Sequence, residues 1–153
     1  MIQSVLFVCT GNTCRSPMAV ALLRKGQQRA PIPWMAQIEV RSAGTHAVSG
    51  TPASSFACRA MEASGLDLTQ HRASLLTSDL VKWADLILTM TLEHTSSIRQ
   101  HFPEGHFKTF PLAVYAGMSG DVDDPTPDES AYERCAEQLA TCIYKLIVIL
   151  EQS

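Results

Sequence analysis

The segment from Val5 to Pro17 constrains the fold more than any other part of the chain. It begins with the apolar run Val5 to Val8, which has the length of a strand and is β-branched at both ends, as is typical of a strand covered on both faces of a parallel sheet. It ends with Ser16 and Pro17, an N-cap residue type followed by proline at the first helical position, and a helix-forming stretch continues to about Arg29. The sequence therefore predicts a strand, a tight loop and a helix in immediate succession.

The alternation of strand and helix repeats along the chain. Further strands are predicted at Ile38 to Arg41, Asp85 to Met90 and Phe107 to Phe110. Thr51-Pro52 opens a helix that Gly65 closes, and another helix begins at Leu92. The last helix carries an apolar stripe at steps of three or four residues, formed by Ala131, Cys135, Leu139, Cys142, Leu146 and Ile149. This order predicts an α/β fold, a three-layer α/β/α arrangement with a central four-stranded parallel sheet.

Length and composition restrict the class of protein. The chain has 153 residues, 46% of them hydrophobic, which predicts a single domain spanning residues 1–153. The net charge of −3 lacks the basic excess of a nucleic-acid-binding protein. The apolar stretch Ile143 to Leu150 is interrupted by Lys145 and is far shorter than the ~20 residues of a membrane span. We therefore expect a cytoplasmic protein with no membrane or nucleic-acid partner.

The cysteines and histidines favour neither a disulfide framework nor a metal site. The five cysteines, an odd number, are scattered along the chain at Cys9, Cys14, Cys58, Cys135 and Cys142. The last three are predicted to pack on helix faces. The five histidines form no recognised ligand spacing, so no metal and no cofactor is expected.

The loop after the first strand has the properties of an anion site. Cys9 and Arg15 are separated by five residues, and a loop between a strand end and a helix start can turn its backbone N–H groups inward toward the positive end of the helix. Gly11 and Asn12 are residue types that accept the left-handed backbone of such a ring. Arg15 offers a planar fork for two phosphate oxygens. The predicted phosphate ligands are the loop residues Thr10, Gly11, Asn12, Thr13, Cys14 and Arg15.

The same positive field favours the thiolate of Cys9, which makes it the candidate nucleophile. A departing group also needs a proton, and the segment Asp121 to Pro125 supplies carboxylates. Asp124 is the preferred general acid because Pro125 stiffens the backbone beside it, and Asp123 is the rival. The sequence thus predicts nucleophilic phosphoryl transfer through a phosphocysteine.

These residues together resemble one family over essentially the whole chain, the low-molecular-weight protein tyrosine phosphatases. The resemblance is carried by CTGNTCRSP after the VLFV strand, SAGT from Ser42, the His71-Arg72-Ala73 segment and the late Asp124-Pro125 pair. It implies that Cys9 is the nucleophile, Arg15 the phosphate ligand, Asp124 the general acid and base, and Ser16 a hydroxyl supporting the thiolate. It also implies that Ser42 and His71 hold Asn12, and that Cys9 and Cys14 can join reversibly on oxidation.

Within this family, the CTGNTCRSPMA stretch is most similar to the bacterial protein arginine phosphatases, because Thr13 stands where tyrosine-directed members usually carry a bulkier aliphatic residue. This predicts phosphoarginine residues of proteins as substrates, with phosphotyrosine as the alternative. Many relatives place an aromatic residue directly after the Asp-Pro pair, whereas this chain has Thr126 and Pro127. Tyr132 or Trp34 is a candidate to provide an aromatic surface for a tyrosyl ring instead, although packing is the commoner role for each.

Three other functions fit the sequence less well. An arsenate reductase on this scaffold would need additional redox cysteines, and the segment from Trp83 to Met118 has none. A cysteine phosphocarrier would lack the arginine and the acid. A module that only binds phosphorylated partners would be expected to lose Cys9 or Asp124. The prediction is therefore a monomeric phosphatase of phosphorylated proteins, with inorganic phosphate as product and inhibitor.

Overall fold

The structure, a computed structural model, describes residues 1–30, 32–125 and 127–153. Four β-strands lie in these ranges: β1 Ser4–Cys9, β2 Glu39–Gly44, β3 Leu86–Thr89 and β4 Thr109–Pro111. The α-helices described are α1 Arg15–Arg29, α2 Ser55–Glu62, α3 Ser78–Trp83, α4 Leu92–His101, α5 Leu112–Tyr115 and α6 Glu129–Glu151. Short 3₁₀ helices occupy Pro33–Gln37 and Pro103–Lys108.

The strands form one parallel sheet in the order β2-β1-β3-β4. This confirms the predicted four-stranded parallel sheet. The register pairs Cys9, the last residue of β1, with Gly44, the last residue of β2. The loops that follow these two strands therefore leave the same edge of the sheet side by side.

Both faces of β1 are buried, which explains why its sequence is continuously apolar rather than alternating. Val5 and Phe7 belong to a core that includes Leu139 of α6, whereas Leu6 packs in a second core with Ile98 of α4. The two cores lie on opposite faces because successive side chains of a strand point in opposite directions. The three-layer α/β/α architecture is thus confirmed.

The first helix begins earlier than the sequence predicts. α1 starts at Arg15, its N-cap residue is Cys14, and no side chain caps it. The prediction that Ser16 is the N-cap residue is therefore wrong, because the loop after β1 passes directly into the helix. β1 and the start of α4 at Leu92 agree with the predictions, and β2 runs three residues beyond Arg41, to Gly44.

Other predictions failed where elements are short. The predicted helix from Thr51 to Gly65 is α2, which Ser54 caps. Thr51 instead donates its hydroxyl to the Val48 carbonyl oxygen. The first half of the predicted Phe107 to Phe110 strand, Phe107 and Lys108, is the end of a 3₁₀ helix, and the second half, Thr109 and Phe110, belongs to β4. Helices α3 and α5 were not predicted.

The stretch that follows α1 is rich in proline. Pro31 lies outside the described residues. The 3₁₀ helix that begins at Pro33 buries Met35 completely. This segment therefore contributes to the core that α1 and α6 share.

Helix α6 carries the apolar stripe that the sequence predicts, with one change at its end. Leu150 is fully buried, whereas Ile149 is only partly buried. Cys135 and Cys142 are buried on the same helix, and Cys58 is partly buried on α2, as expected for packing residues. Within the described ranges, no helix is long and apolar enough to cross a bilayer.

We predict that Leu139→Ala lowers the free energy of unfolding by about 2 to 5 kcal/mol, because Leu139 is 0% exposed and its loss leaves a cavity between α6 and the sheet. Val148 lies on the same helix and is 40% exposed, so Val148→Ala should change the free energy of unfolding by less than ~0.5 kcal/mol. Urea unfolding of both variants measures the difference. Equal losses would show that α6 does not pack on the sheet as described.

Candidate active site

The loop between β1 and α1 has an uncapped helix at its end. No side chain caps α1, and its first turn contains no acidic residue. The longer helices elsewhere are all capped by a side chain, those of Ser54, Thr77, Thr91 and Asp128 for α2, α3, α4 and α6. The first N–H groups and the positive end of the α1 dipole are thus available to an anion.

Arg15 is the most deeply buried charged group at this loop, with 3% of its surface exposed. Its Nη1 donates to the Val122 carbonyl oxygen at 3.0 Å, which fixes the guanidinium plane. Its Nε is buried and has no hydrogen-bond partner among the described residues. The nearest carboxylate oxygen, Oδ1 of Asp124, is 3.7 Å away, too long for a hydrogen bond. The side chain is therefore held in place while its buried Nε–H has no acceptor among the described residues.

The sulfur of Cys9 accepts two hydrogen bonds. The Asn12 backbone N–H donates to it at 3.3 Å, and Ser16 Oγ lies 2.9 Å from it. The Asn12 side-chain amide donates to Ser16 Oγ at 2.7 Å. Ser16 therefore accepts from Asn12 and is free to donate its own hydrogen to the sulfur. Two donors directed at one sulfur stabilise the thiolate.

Asn12 holds the loop together. It has a left-handed backbone, with φ 57°, and is fully buried. Its carbonyl oxygen accepts from His71 Nε2 at 2.7 Å, and its amide also donates to Ser42 Oγ at 2.9 Å. Its Oδ1 accepts from the Ser74 backbone N–H at 2.9 Å, which fixes which amide atom is oxygen. The contacts of Ser42 and His71 are those that the family resemblance implies.

Two details of this loop depart from the sequence predictions. Gly11 does not have a left-handed backbone, so Asn12 alone supplies that conformation among the residues of the loop. Ser74 was not predicted, because its contribution is a backbone N–H, which no residue type signals.

The carboxylate of Asp124 lies at the open side of the site. Its side chain is 73% exposed, and its Oδ1 is 3.7 Å from both Arg15 Nε and Cys14 Sγ. Asp123 is also exposed. The geometry thus brings Asp124 to the loop.

The surroundings of Cys14 keep its thiol protonated. Burial, with the nearby Cys9 and Asp124, raises the pKa of the Cys14 thiol to about 12. Cys14 is therefore a neutral thiol at physiological pH, and its S–H points to the Asp124 carboxylate. A second anion beside the Cys9 sulfur is avoided.

The two candidate aromatic residues occupy different places. Tyr132 stacks on Phe56 with a centroid distance of 5.3 Å, and burial together with the neighbouring Cys14 and Asp124 raises its pKa. Trp34 packs against the core of α1 and α6. Thr126, at the position where many relatives carry an aromatic residue, lies outside the described residues. Tyr132 is thus the aromatic side chain beside the loop.

Sequence reasoning missed two residues that contact the loop from other elements. Gly44, at the end of β2, passes so close that a Cβ atom there would lie 2.5 Å from the Thr10 carbonyl oxygen and 3.0 Å from the Asn12 nitrogen. His94, on α4, contacts the Thr10 hydroxyl at 2.8 Å through Nε2. The register of β2 on β1 was the signal for Gly44, but no sequence pattern signalled His94.

A cleft of about 300 Å³ opens beside the loop, and its walls include Thr10, Arg15, His94 and Asp124. Its size suits a phosphoryl group and part of the side chain that carries it. Within the described ranges, no three His, Cys, Asp or Glu side chains are grouped to hold a metal ion. The Cys9 sulfur lies beside the uncapped start of α1, an arrangement that suits nucleophilic attack by sulfur on a group whose negative charge is held by N–H donors.

Comparison with known proteins places the chain in a family. Residues 4–153 match the family model of the low molecular weight phosphotyrosine protein phosphatases. The chain is 41% identical over 149 residues to the protein-arginine-phosphatase of Geobacillus stearothermophilus, covering 95% of each. It is also 41% identical over 125 residues to a protein of Ralstonia solanacearum named "Probable low molecular weight protein-tyrosine-phosphatase EpsP", covering 82% of this chain and 79% of that one.

A solved structure of a relative has the same fold. The YwlE arginine phosphatase, in a cysteine-to-serine variant with a phosphorylated active-site serine, superposes with a TM-score of 0.91 at 35% identity, covering 98% of this chain and 97% of that one. The chain therefore belongs to the low molecular weight phosphotyrosine protein phosphatase family and is a cysteine-dependent protein phosphatase.

We predict that Gly44→Ala reduces kcat/KM by about 100-fold, because the new Cβ would displace the backbone of Thr10 and Asn12 and so misplace the loop. Gly26→Ala is the matched control, since its Cβ would meet only the flexible end of the Ile147 side chain, away from the loop. Steady-state kinetics on a chromogenic phosphate ester compares the two. Full activity of Gly44→Ala would contradict the close approach of β2 to the loop.

Proposed function

We propose that Cys9 is the nucleophile, Arg15 the phosphate ligand and Asp124 the general acid of a protein phosphatase that acts on phosphoarginine. The observation that carries the roles is the buried Nε of Arg15, which no described residue satisfies, at an uncapped helix start beside the Cys9 sulfur. A buried unpaired donor is costly unless a ligand accepts from it. A phosphate dianion meets this need and that of the α1 N-terminus at once.

The first step transfers the phosphoryl group to sulfur. The Cys9 thiolate attacks phosphorus, the S–P bond forms, and the bond from phosphorus to the substrate nitrogen or oxygen breaks. Asp124 donates its proton to the departing atom, so that a phosphate ester releases a neutral alcohol or phenol and phosphoarginine releases the guanidinium of arginine. Arg15 and the N–H groups of the loop bind the charge on the phosphoryl oxygens throughout, so no cofactor is needed.

The second step regenerates the enzyme. Asp124, now a carboxylate, takes a proton from a water molecule, whose oxygen attacks phosphorus. The S–P bond breaks, inorganic phosphate leaves, and Cys9 returns as the thiolate that Ser16 and Asn12 stabilise through their hydrogen bonds. The exposure of Asp124 allows water to reach it in this step.

Two observations support phosphoarginine as the substrate. The chain shares 41% identity over 95% of its length with a protein-arginine-phosphatase. Thr13 is partly buried, and its carbonyl oxygen accepts from the Ser54 backbone N–H at 2.9 Å, so its position in the loop is fixed. A small hydroxyl-bearing side chain leaves room and a hydrogen-bond partner for a guanidinium-linked phosphate.

Phosphotyrosine is the second candidate. Tyr132 lies beside Cys14 and Asp124 and offers a flat surface to a tyrosyl ring. The Ralstonia solanacearum relative, also 41% identical, is named for activity on tyrosine. Sequence identity alone therefore does not separate the two substrates, and a direct assay is required.

We predict that Asp124→Asn lowers kcat by about 10²- to 10⁴-fold on phosphoarginine or phenyl phosphate, whose leaving groups need a proton. The loss should be smaller on p-nitrophenyl phosphate, because that leaving group departs as a stable anion. Asp123→Asn is the matched control and should keep kcat within about threefold. If Asp123→Asn shows the larger loss, Asp123 is the acid.

We predict that the purified protein hydrolyses phosphoarginine in preference to phosphotyrosine. Thr13→Ile should reduce this preference, since it adds bulk to the loop and removes the hydroxyl. Thr13→Ser, which keeps the hydroxyl, should retain the preference. The ratio of kcat/KM values for the two substrates measures it. Equal or reversed preference in the unmodified protein would remove phosphoarginine and leave the phosphatase assignment intact.

Four further properties remain predictions of this proposal. Inorganic phosphate should inhibit as a product, because it fits the same N–H groups. Cys9 and Cys14, close together in one loop, should form a reversible disulfide on oxidation. We also expect a monomer and a cytoplasmic location.

A further inference from the structure

His94 links helix α4 to the loop that holds the phosphoryl group, and the sequence did not single it out. It is only 8% exposed, although it is the third residue of α4 and lines an open cleft. Both ring nitrogens have partners. Nδ1 lies 3.2 Å from the Thr91 backbone nitrogen, and Nε2 lies 2.8 Å from Thr10 Oγ1.

The backbone partner favours one tautomer of the ring. A backbone N–H can only donate, so Nδ1 of His94 is the acceptor in its bond from Thr91. The hydrogen of the neutral ring is then on Nε2, which donates to the Thr10 hydroxyl oxygen. Thr91 Oγ1 also lies 3.0 Å from Nδ1. A protonated ring would carry hydrogen on Nδ1 and could donate it to that oxygen, but only by giving up the bond from the Thr91 N–H.

Hydrogen bonds fix the start of helix α4, which carries His94. Thr91 caps α4 and accepts from the His94 backbone N–H at 3.2 Å. The Thr91 carbonyl oxygen accepts from Thr89 Oγ1 at 2.9 Å, and Thr89 in turn lies 2.6 Å from Thr95 Oγ1, with both threonines fully buried. The ring is thus anchored to the end of β3.

Thr10 is the residue that needs this support. It follows Cys9 directly and its side chain is exposed, so packing does not hold it. Its carbonyl oxygen accepts from the His46 backbone N–H at 2.9 Å. The bond from His94 fixes the other side of the residue. The first peptide of the loop is consequently held between the segment after β2 and helix α4.

We infer that His94 is a positioning residue of the phosphatase site, which in its neutral form donates to Thr10 and sets the first residue of the loop for binding the phosphoryl group. The inference rests on the proposed roles of Cys9 and its loop. Protonation of His94 would remove the acceptor of the Thr91 N–H and so weaken the capping box of α4, which orients the ring toward Thr10.

The surroundings of His94 decide at which pH this happens. Burial, followed by the charge of Arg15, lowers the pKa of His94 below the ordinary value of 6.5, while the carboxylates of Glu93, Asp121 and Asp124 act in the opposite direction. The ring is therefore neutral at pH 7. Activity that depends on it should fall as the pH decreases below that ordinary value.

Two substitutions at His94 separate positioning from packing. His94→Gln keeps an oxygen that accepts at the third position of the capping box and an N–H that can donate to Thr10, but it does not titrate. It should keep kcat/KM within about threefold at pH 7. Its kcat/KM should also decline less at low pH than that of the parent. His94→Leu fills the space without polar atoms and should lose roughly tenfold.

A double-mutant cycle with Thr10→Val tests whether His94 acts through Thr10. If it does, His94→Leu and Thr10→Val together lose no more activity than the stronger single variant. Losses that multiply would overturn the inference. It would also be overturned if the activity of His94→Gln declined at low pH as steeply as that of the parent. Thermal melts of each variant show whether a loss comes from unfolding.

A spectroscopic measurement needs no turnover. The ¹⁵N chemical shifts of histidine-labelled protein at pH 7 should show His94 neutral with hydrogen on Nε2, and an imidazolium or the other tautomer would overturn the inference. Cys9→Ser separates the two proposals. If Cys9→Ser hydrolyses substrate as fast as the parent, the proposed function fails, whereas an inactive Cys9→Ser with multiplicative losses refutes only the role of His94.

Discussion

The left-handed backbone of Asn12 is the constraint on which the rest of the site depends. A non-glycine residue in this conformation costs roughly 1 to 2 kcal/mol, and here it is also completely buried. The cost is offset because its backbone and side-chain polar atoms bond to the Cys9 sulfur, Ser16, Ser42, His71 and the Ser74 backbone. The loop is therefore in its binding shape before a substrate arrives.

This rigidity allows the site to carry features that reduce stability. Arg15 is a buried cation whose Nε has no partner among the described residues, and α1 has no side-chain cap. Each would be corrected in a helix that served only to fold, as the capped starts of α2 and α6 illustrate. Both exceptions occur at one place and favour the same kind of ligand, as expected where function overrides a local rule. The neutral thiol of Cys14 adds no negative charge to the loop.

Long, regular elements were predictable because their patterns repeat. β1 is continuously apolar, and α6 places an apolar residue on one face for 23 residues, so tertiary contacts only confirm what the pattern states. The helices that were not predicted, α3 and α5, are six and four residues long, and β4, which begins two residues later than predicted, has three. Elements of that length complete less than two turns or a few ladder bonds, and their conformation follows from their neighbours. The Ser54 cap of α2 was missed because Thr51-Pro52 carries the same signal.

The sequence by itself determined the candidate chemistry: a candidate sulfur nucleophile, a guanidinium six residues further on, and Asn12 where the turn needs a left-handed residue. The tertiary structure decided which groups make this loop rigid and which face its opening. Val122 and Asp124 reach it from 107 and 110 residues away, and His94 from 84. Such contacts exist only because parallel pairing brings the ends of β1, β2 and β3 to one edge of the sheet, and no local pattern records which residues will meet there.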